Sequence, residues 1–470
     1  MTTFTFFVLL FYGVGDSCDC YINPSDQIVD FRDEFSFVQP GDTLCILGGL
    51  RGRLKIMNFH GEEADPIRFV NVGGQVVIST DGDVGLHVVN SRYIQISGTG
   101  DEGEFYGIRI DGAGKKGMQL NRKTSHIEVD HVEIANIGLD PDSHGIGLVW
   151  NTHATCPDGS DTTYAYDYDG DGEDVGDLND VVSRENFTQS HGVFHDLYIH
   201  DTLTEGMYLG LPYYLEGHVH NCQGGPIALN GPVTEHIAVY DNVIENTGYE
   251  GINVKSAVAA CQIMGNRVTG DSLRDNNSQN GGIALGPGCN CEVFNNRITD
   301  GKGKGIFLYY NANGSIVFNN TIIRPGSGSG SPRQGIEVNH NVPGDEAGMF
   351  ILNNTIVSPT KNAIKLRTES GDAHLVANNL IIQDNNYDVI KIKGQGQVDV
   401  QANQVYDTPP PCLFTDVQAD DLHLSPCSPA IDQGIDTTPY GVSFDFDYQP
   451  RPQGAQHDVG AFEHTPNTKR

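Results

Sequence analysis

Apolar residues recur along this chain in short runs of period two, separated by Gly, Asn and Asp, with no stretch of helical 3.6-residue spacing long enough to compete. One phrase returns seven times: apolar, any residue, Asn or a small or acidic residue, Asn, any residue, apolar. It is read at Val239–Ile244, Ile263–Val268, Val293–Ile298, Val317–Ile322, Ile351–Ile356, Val376–Ile381 and Val400–Val405. The second Asn of successive copies (Asn242, Asn266, Asn296, Asn320, Asn354, Asn379, Asn403) is spaced by 24, 30, 24, 34, 25 and 24 residues. Between the copies lies a second phrase, a small residue followed by alternating apolar positions: Gly251-Ile-Asn-Val254, Gly282-Ile-Ala-Leu285, Gly305-Ile-Phe-Leu308, Gly335-Ile-Glu-Val338 and Ala363-Ile-Lys-Leu366.

Two short strands per repeat of about 24 residues predict an all-β solenoid, a right-handed parallel β-helix whose stacked coils bury a continuous apolar interior. The recurring Asn falls at a turn, where its amide can bond to the coils above and below. Earlier strands are predicted at Pro66–Val70, Val76–Ile78, Tyr93–Ile96, Gly107–Ile110, Ile127–Val129 and Gly145–Leu148. The rhythm breaks between about 151 and 190 and resumes at Val193. The expected organisation is a secretory signal over 1–17, an N-terminal cap and first coils over 18–105, the β-helix over 106–405, and a C-terminal module over 406–470 that caps it.

Composition sharpens this picture. With 28 Lys+Arg against 61 Asp+Glu the formal charge is −33, which argues against a nucleic-acid partner. The apolar stretch Thr2–Val14 is too short to span a membrane and reads as an export signal, so a secreted monomer without a transmembrane segment is expected. A lipid anchor on Cys18 is the alternative. Ten cysteines in an exported chain suggest disulfides, with Cys412–Cys427 the pair expected from proximity; Cys289-Asn-Cys291 lacks the spacing of a zinc site.

Candidate chemistry sits where alternation points side chains outward. On the Gly-Ile strands these positions are Tyr208, Asn230, Asn253, Lys255, Phe307, Tyr309, Glu337, Asn339, Lys365, Arg367, Lys391 and Lys393. Five cations and three aromatic rings on one face of an acidic chain predict a groove for an acidic polysaccharide, with Tyr208, Asn253, Tyr309, Lys365, Arg367 and Lys393 as its contacts. Asp167, Asp169 and Asp171, followed by Gly172, have the spacing of the first half of a calcium loop; its twelfth position is Leu178, and Asp177 or Asp180 is expected to close it instead. Ten of the 17 histidines lie between His126 and His236; His195 and His220 are expected at corresponding outward positions of successive coils, placed to act as acid and base.

The opening Val38–Gly49 and its following coils resemble the first coils of secreted β-helix proteins, among them polysaccharide lyases of the chondroitinase B and alginate lyase family. Within that resemblance Glu250-Gly-Ile-Asn-Val-Lys255-Ser256 is similar to the family's Glu-x-x-x-x-Lys-Ser. It implies Glu250 as a calcium ligand and Lys255 as the base that takes the C5 proton of a uronate. The family's Arg one coil later is missing from Gly282–Gly288, which leaves Arg267 or Arg297 as replacements. Ser428–Gly434, Asp445–Arg451 and Asp458–Glu463 resemble a terminal module of bacterial surface and secreted β-helix proteins. The expected activity is calcium-assisted β-elimination of a uronate-containing glycan. A hydrolase using two carboxylates from Asp196, Asp201, Asp241 and Glu250, or a non-catalytic adhesive solenoid, are the alternatives.

Overall fold

The computed structural model describes residues 17–138, 144–159, 181–310, 314–340, 347–369 and 374–465. Strands run as three parallel ladders along a single right-handed β-helix. The first holds strands such as Thr234–Tyr240, Ala257–Met264, Cys291–Phe294 and Ile316–Phe318, paired coil upon coil. The second holds Val243–Thr247, Arg267–Thr269, Arg297–Thr299 and Thr321–Ile323. These two merge near the N-terminus because Thr43–Arg51 and Ile67–Ile78 run through both. The third is a separate sheet of 12 strands from Ile28–Asp30 to Ile390–Gly394.

The seven-fold phrase builds the corner between the first two ladders. Asn242, Asn266, Asn296, Asn320, Asn354, Asn379 and Asn403 form an unbroken amide chain, each Nδ2 donating to the next Oδ1 at 2.8–3.0 Å. The residue before each ladder Asn takes a left-handed backbone, with φ of 53° at Asp241, 67° at Gly265 and 53° at Asn295. That conformation suits Gly, Asn and Asp, which explains the small or acidic requirement in the phrase. Inside, Ile252, Ile283, Ile306, Ile336 and Ile364 stack with no exposure, and Val254, Leu285, Leu308, Val338 and Leu366 form the adjacent column.

The C-terminal module lies against the side of the coils. Phe444 and Val442 pack on Phe294, Phe318 and Leu352, while Leu413, Phe414, Val459 and Phe462 pack on Ile323, Val357 and Leu380. The first Asn of each doublet holds it: Asn295, Asn319, Asn353 and Asn378 donate to carbonyls of Asp445 and Phe446, Phe444, Asp458, and Ile435. Its three sequence motifs bond to one another through the buried Arg451–Glu463 pair, Asp432 N to Asp458 and Glu463 N to Asp445. Its capping is therefore lateral, and the last coil keeps Ile392, Val400 and Val405 exposed.

Four disulfides join Cys18–Cys45, Cys156–Cys222, Cys261–Cys291 and Cys412–Cys427. The last matches expectation. Cys18 is tied to Cys45, so its sulfur is not available for a lipid anchor. Among the described residues no helix is long and apolar enough to cross a membrane.

Candidate functional site

The third ladder presents its outward positions in register. Tyr208, Asn253, Ala284, Phe307, Glu337, Lys365 and Lys391 follow one another coil by coil. Two residues further along each strand, Lys255 stands between Gly210 and Gly286, then Tyr309, Asn339, Arg367 and Lys393. Gly286 matters for what it omits. A Cβ there would sit 2.8 Å from Lys255 Cγ and 2.9 Å from the Tyr309 hydroxyl, so the missing side chain lets Lys255 and Tyr309 meet across an intervening coil.

Lys255 is buried, and its Nζ donates to the Tyr208 hydroxyl at 2.8 Å while lying 4.1 Å from the ring centre. Burial, then the charges of Glu205 and Glu250, push the Tyr208 phenol above its ordinary range. Burial does the same to Tyr309, with Lys255 opposing it. Just before the strands, Glu205 and Glu250 occupy equivalent places, as Gly206 N bonds to the Glu250 carbonyl in the coil-to-coil ladder. Both are almost fully buried, and burial, then the Glu205 charge, drive the Glu250 carboxyl up to about 8.

Three oxygens here have no hydrogen-bond partner: Glu205 Oε2, Glu250 Oε2 and Asn253 Oδ1. Orphaned buried acceptors of this kind, two of them carboxylate, are the donor set a hard divalent cation takes. Beyond Gly281, Lys304 closes the face. Its Nζ donates to Asn280 at 2.6 Å, lies 3.4 Å from Glu337 and sits 3.7 Å from the Phe307 ring centre. Burial lowers it to about 8, with Glu337 and Glu250 among the groups that oppose the drop.

The fold thus brings together Glu250, Lys255, Tyr208, Asn253 and Tyr309, and it adds Glu205 and Lys304. Both additions carried a signal: Glu205-Gly-Met-Tyr208 and Lys304-Gly-Ile-Phe307 place a charged residue ahead of the glycine, as Glu250-Gly-Ile-Asn253 does. The expected run of free cations is largely neutralised. Lys365 is bonded to Glu337, Arg367 to Glu369 and Lys391 to Asp388; Lys393 lies on the last coil.

Other expected residues lie elsewhere. Arg267 is in the second ladder beside Arg297, lining a cleft of about 510 Å³ with Asp241, Asp447 and Tyr448, so neither arginine shares the face of Lys255. His195 is in the first ladder, stacked on Tyr240, and bonds to Asp196 and Glu128. Burial opposes its protonation, but the Asp196 and Glu128 bonds prevail and raise it to about 9. Asp196 and Asp201 are each bonded to a histidine, His195 and His200. His220 does not correspond to His195, whose partner in the next coil is Tyr240. The chain between His195 and Tyr240 carries an antiparallel hairpin, His218–Cys222 with Gly225–Leu229, and His220 belongs to it, with Asn230 just beyond. Asp167, Asp169, Asp171, Asp177 and Asp180 lie outside the described residues.

The fold and this face define a right-handed parallel β-helix with a buried charged site on one sheet. Residues 217–381 match the family model described as right handed beta helix region. No curated protein matches the chain. Among solved structures, the pectate lyase Pel9A is similar at 13% identity, with 96% of this chain and 98% of that one covered and a TM-score of 0.41. A lacto-N-biosidase of family GH136 from Eubacterium ramulus is similar at 13% identity, over 82% of this chain and 68% of that one, with a TM-score of 0.47. An alginate lyase from Paenibacillus sp. str. FPU-7 is similar at 14% identity, over 81% and 98%, with a TM-score of 0.38. At such identities and TM-scores these likenesses lend weight to no one activity.

Proposed function

We propose that this is an exported polysaccharide lyase that cleaves a uronate-containing glycan by β-elimination at the face around Lys255. The observation that carries the reading is the Lys255–Tyr208 hydrogen bond beside three orphaned oxygens of Glu205, Glu250 and Asn253. Lys255 Nζ acts as the base and takes the C5 proton of the uronate. The C–H electron pair becomes the C4–C5 double bond as the C4–O bond breaks, and the departing oxygen takes the Tyr208 proton. The Lys255 ammonium then returns a proton to the phenolate along their 2.8 Å bond, which resets both groups.

Glu205, Glu250 and Asn253 would hold calcium, which when bound neutralises the uronate carboxylate and so makes the C5 proton more acidic. Lys304 stands where a second cation is wanted, on the face that Arg267 and Arg297 do not reach. Four disulfides support export to an oxidising compartment.

The test is a panel of uronate polymers incubated with calcium or with a chelator, following the absorbance of the unsaturated product. A calcium-dependent rise that disappears in Lys255→Ala is expected; no unsaturated product from any polymer defeats the reading. A second reading rests on the raised Glu250 carboxyl beside Glu205: a protonated acid next to a second carboxylate is the equipment of a glycoside hydrolase. New reducing ends without unsaturation would favour it. Polymer binding without turnover would favour an adhesive solenoid.

A further inference from the structure

Glu128, Asp130 and His195 come together on the outer face of the first ladder, away from the Lys255 face. Glu128 and Asp130 alternate with the buried Ile127 and Val129 on the strand Ser125–Asp130, so their side chains leave the same face. His195 ends the neighbouring strand Gln189–His195 and stands directly opposite Asp130. One oxygen of each carboxylate and one nitrogen of the ring all lie within 4.8 Å of one another. The two strands pair in the ladder although the break in rhythm at about 151–190 separates them along the chain.

The His195 ring is held in a definite orientation. Its Nδ1 donates to Asp196 at 2.7 Å, and Tyr240 stacks on it with ring centres 4.6 Å apart and planes at 4°. Nε2 is thereby aimed at Glu128, whose Oε1 is 3.0 Å away. A carboxylate on the far nitrogen of an imidazole orients a metal-binding histidine and raises its basicity. Two ligand atoms, each about 2.1 Å from one ion, are about 3.0–3.4 Å apart at angles from 90° to tetrahedral. The separation of Nε2 and Oε1 already has this value. Asp130 is buried, with Ser97 and His131 on Oδ1 and the Gln95 amide 3.3 Å from Oδ2, which is the less committed oxygen. An ion entering here takes the place of the proton between Nε2 and Glu128 and releases it to solvent.

The chain supplies its own control in His200. That ring also donates Nδ1–H to the following aspartate, Asp201, at 2.7 Å, and its Nε2 lies 3.2 Å from Glu133 of the coil before. The residue opposite His200 in its ladder, however, is Ala135, where His195 faces Asp130. Glu133 also lies 3.5 Å from Arg109, whose guanidinium repels a cation. The histidine with its two acids is thus repeated without the third ligand. One imidazole among carboxylates also selects the ion: calcium takes oxygen ligands, whereas imidazole suits first-row transition metals and carboxylate suits manganese.

We infer that Glu128, Asp130 and His195 bind one divalent transition-metal ion of the Mn²⁺ and Zn²⁺ class, which pins together the coils on either side of the break in rhythm. This does not depend on the lyase reading, and its test needs no activity. The full-length protein, stripped with a chelator and then held in excess calcium to fill sites made of oxygen alone, is titrated with Mn²⁺ while the free-ion paramagnetic resonance signal is followed. One saturable equivalent, displaced by Zn²⁺, is expected, with nitrogen coupling from an imidazole in the pulsed spectrum of the bound ion. Its affinity should fall by more than about tenfold in His195→Gln and in Asp130→Asn, and be unchanged in His200→Gln. Absence of a saturable equivalent or of nitrogen coupling overturns the inference. So does binding that survives either of the first two variants, or that is lost equally in His200→Gln. Should His195→Gln misfold, Asp130→Asn decides, because it keeps the size of the side chain and removes only the charge.

Discussion

Lys255 and Tyr208 show how placement brings two ordinary residues into buried contact. Tyr208 lies in the strand Met207–Leu209 and Lys255 just past the strand Ile252–Val254, and Gly286 keeps open the space in which Tyr309 joins them. Removing the amine in Lys255→Ala should lower turnover by about 10²–10⁴-fold with little effect on polymer affinity, measured as kcat against KM. Tyr208→Phe keeps the ring but loses the proton relay, and its loss should fall mainly on kcat. Gly286→Ala should impair activity as well, since a methyl group there displaces Lys255 or Tyr309. Glu250 supports a prediction with a definite sign. Its folded-state value is raised from 4.5 to about 8, so the folded protein binds more protons than the unfolded chain across that window and stability falls as pH rises through it. Its contribution to Tm of the calcium-free protein should therefore drop between about pH 5 and 8, against the rise that His87, His126 and His153, held below their ordinary range by burial, contribute up to about pH 6.5. Glu250→Gln should flatten that drop, and so should calcium, by repaying the buried charge. Buried Asp271, raised to about 7, adds a slope of the same sign that neither change removes.

At the scale of the coil, the corner amides form the structural thread. Asn320 Nδ2 donates to Val293 O, Phe318 O and Asn354 Oδ1, and its own Oδ1 accepts from Asn296. Asn320→Ala orphans buried groups in the coils on both sides, each costing roughly 1–3 kcal/mol, and should lower the denaturation midpoint accordingly. Ser in its place is too short to restore the chain of amides. This layer was legible in advance because a stacked repeat prints the same physical demand every 24 residues or so: apolar inside, Asn at the corner, a residue tolerant of positive φ before it. The outward place of Lys255 was legible by the same register, whereas Glu250 was singled out only by the resemblance of Glu250–Ser256. The remainder was hidden by an interruption of that register. His220 is not equivalent to His195 because the hairpin intervenes, and Lys365 meets Glu337 across coils, while Arg367 and Lys391 meet acids of their own coil, Glu369 and Asp388. Arg267 joins a different ladder from Lys255, which its distance along the chain does not reveal.

For the whole molecule, the doublet asparagines divide their labour, the second threading the coils and the first gripping the C-terminal module. Arg451 and Glu463, both without side-chain exposure, form the module's ionic centre. Arg451→Met leaves the Glu463 carboxylate buried without its partner, a change of roughly 3–5 kcal/mol, and limited proteolysis should then release the module before the coils open. The grip ends at Asn378, one coil short of the terminal rung, whose Ile392, Val400 and Val405 face outward into water. Length at that end is consequently an adjustable quantity. An additional 24-residue rung, spliced in after Tyr406 with a matching return loop, would find an apolar seat and three strand edges ready for it, while the Lys255 face, several rungs away, would experience no change in its neighbours.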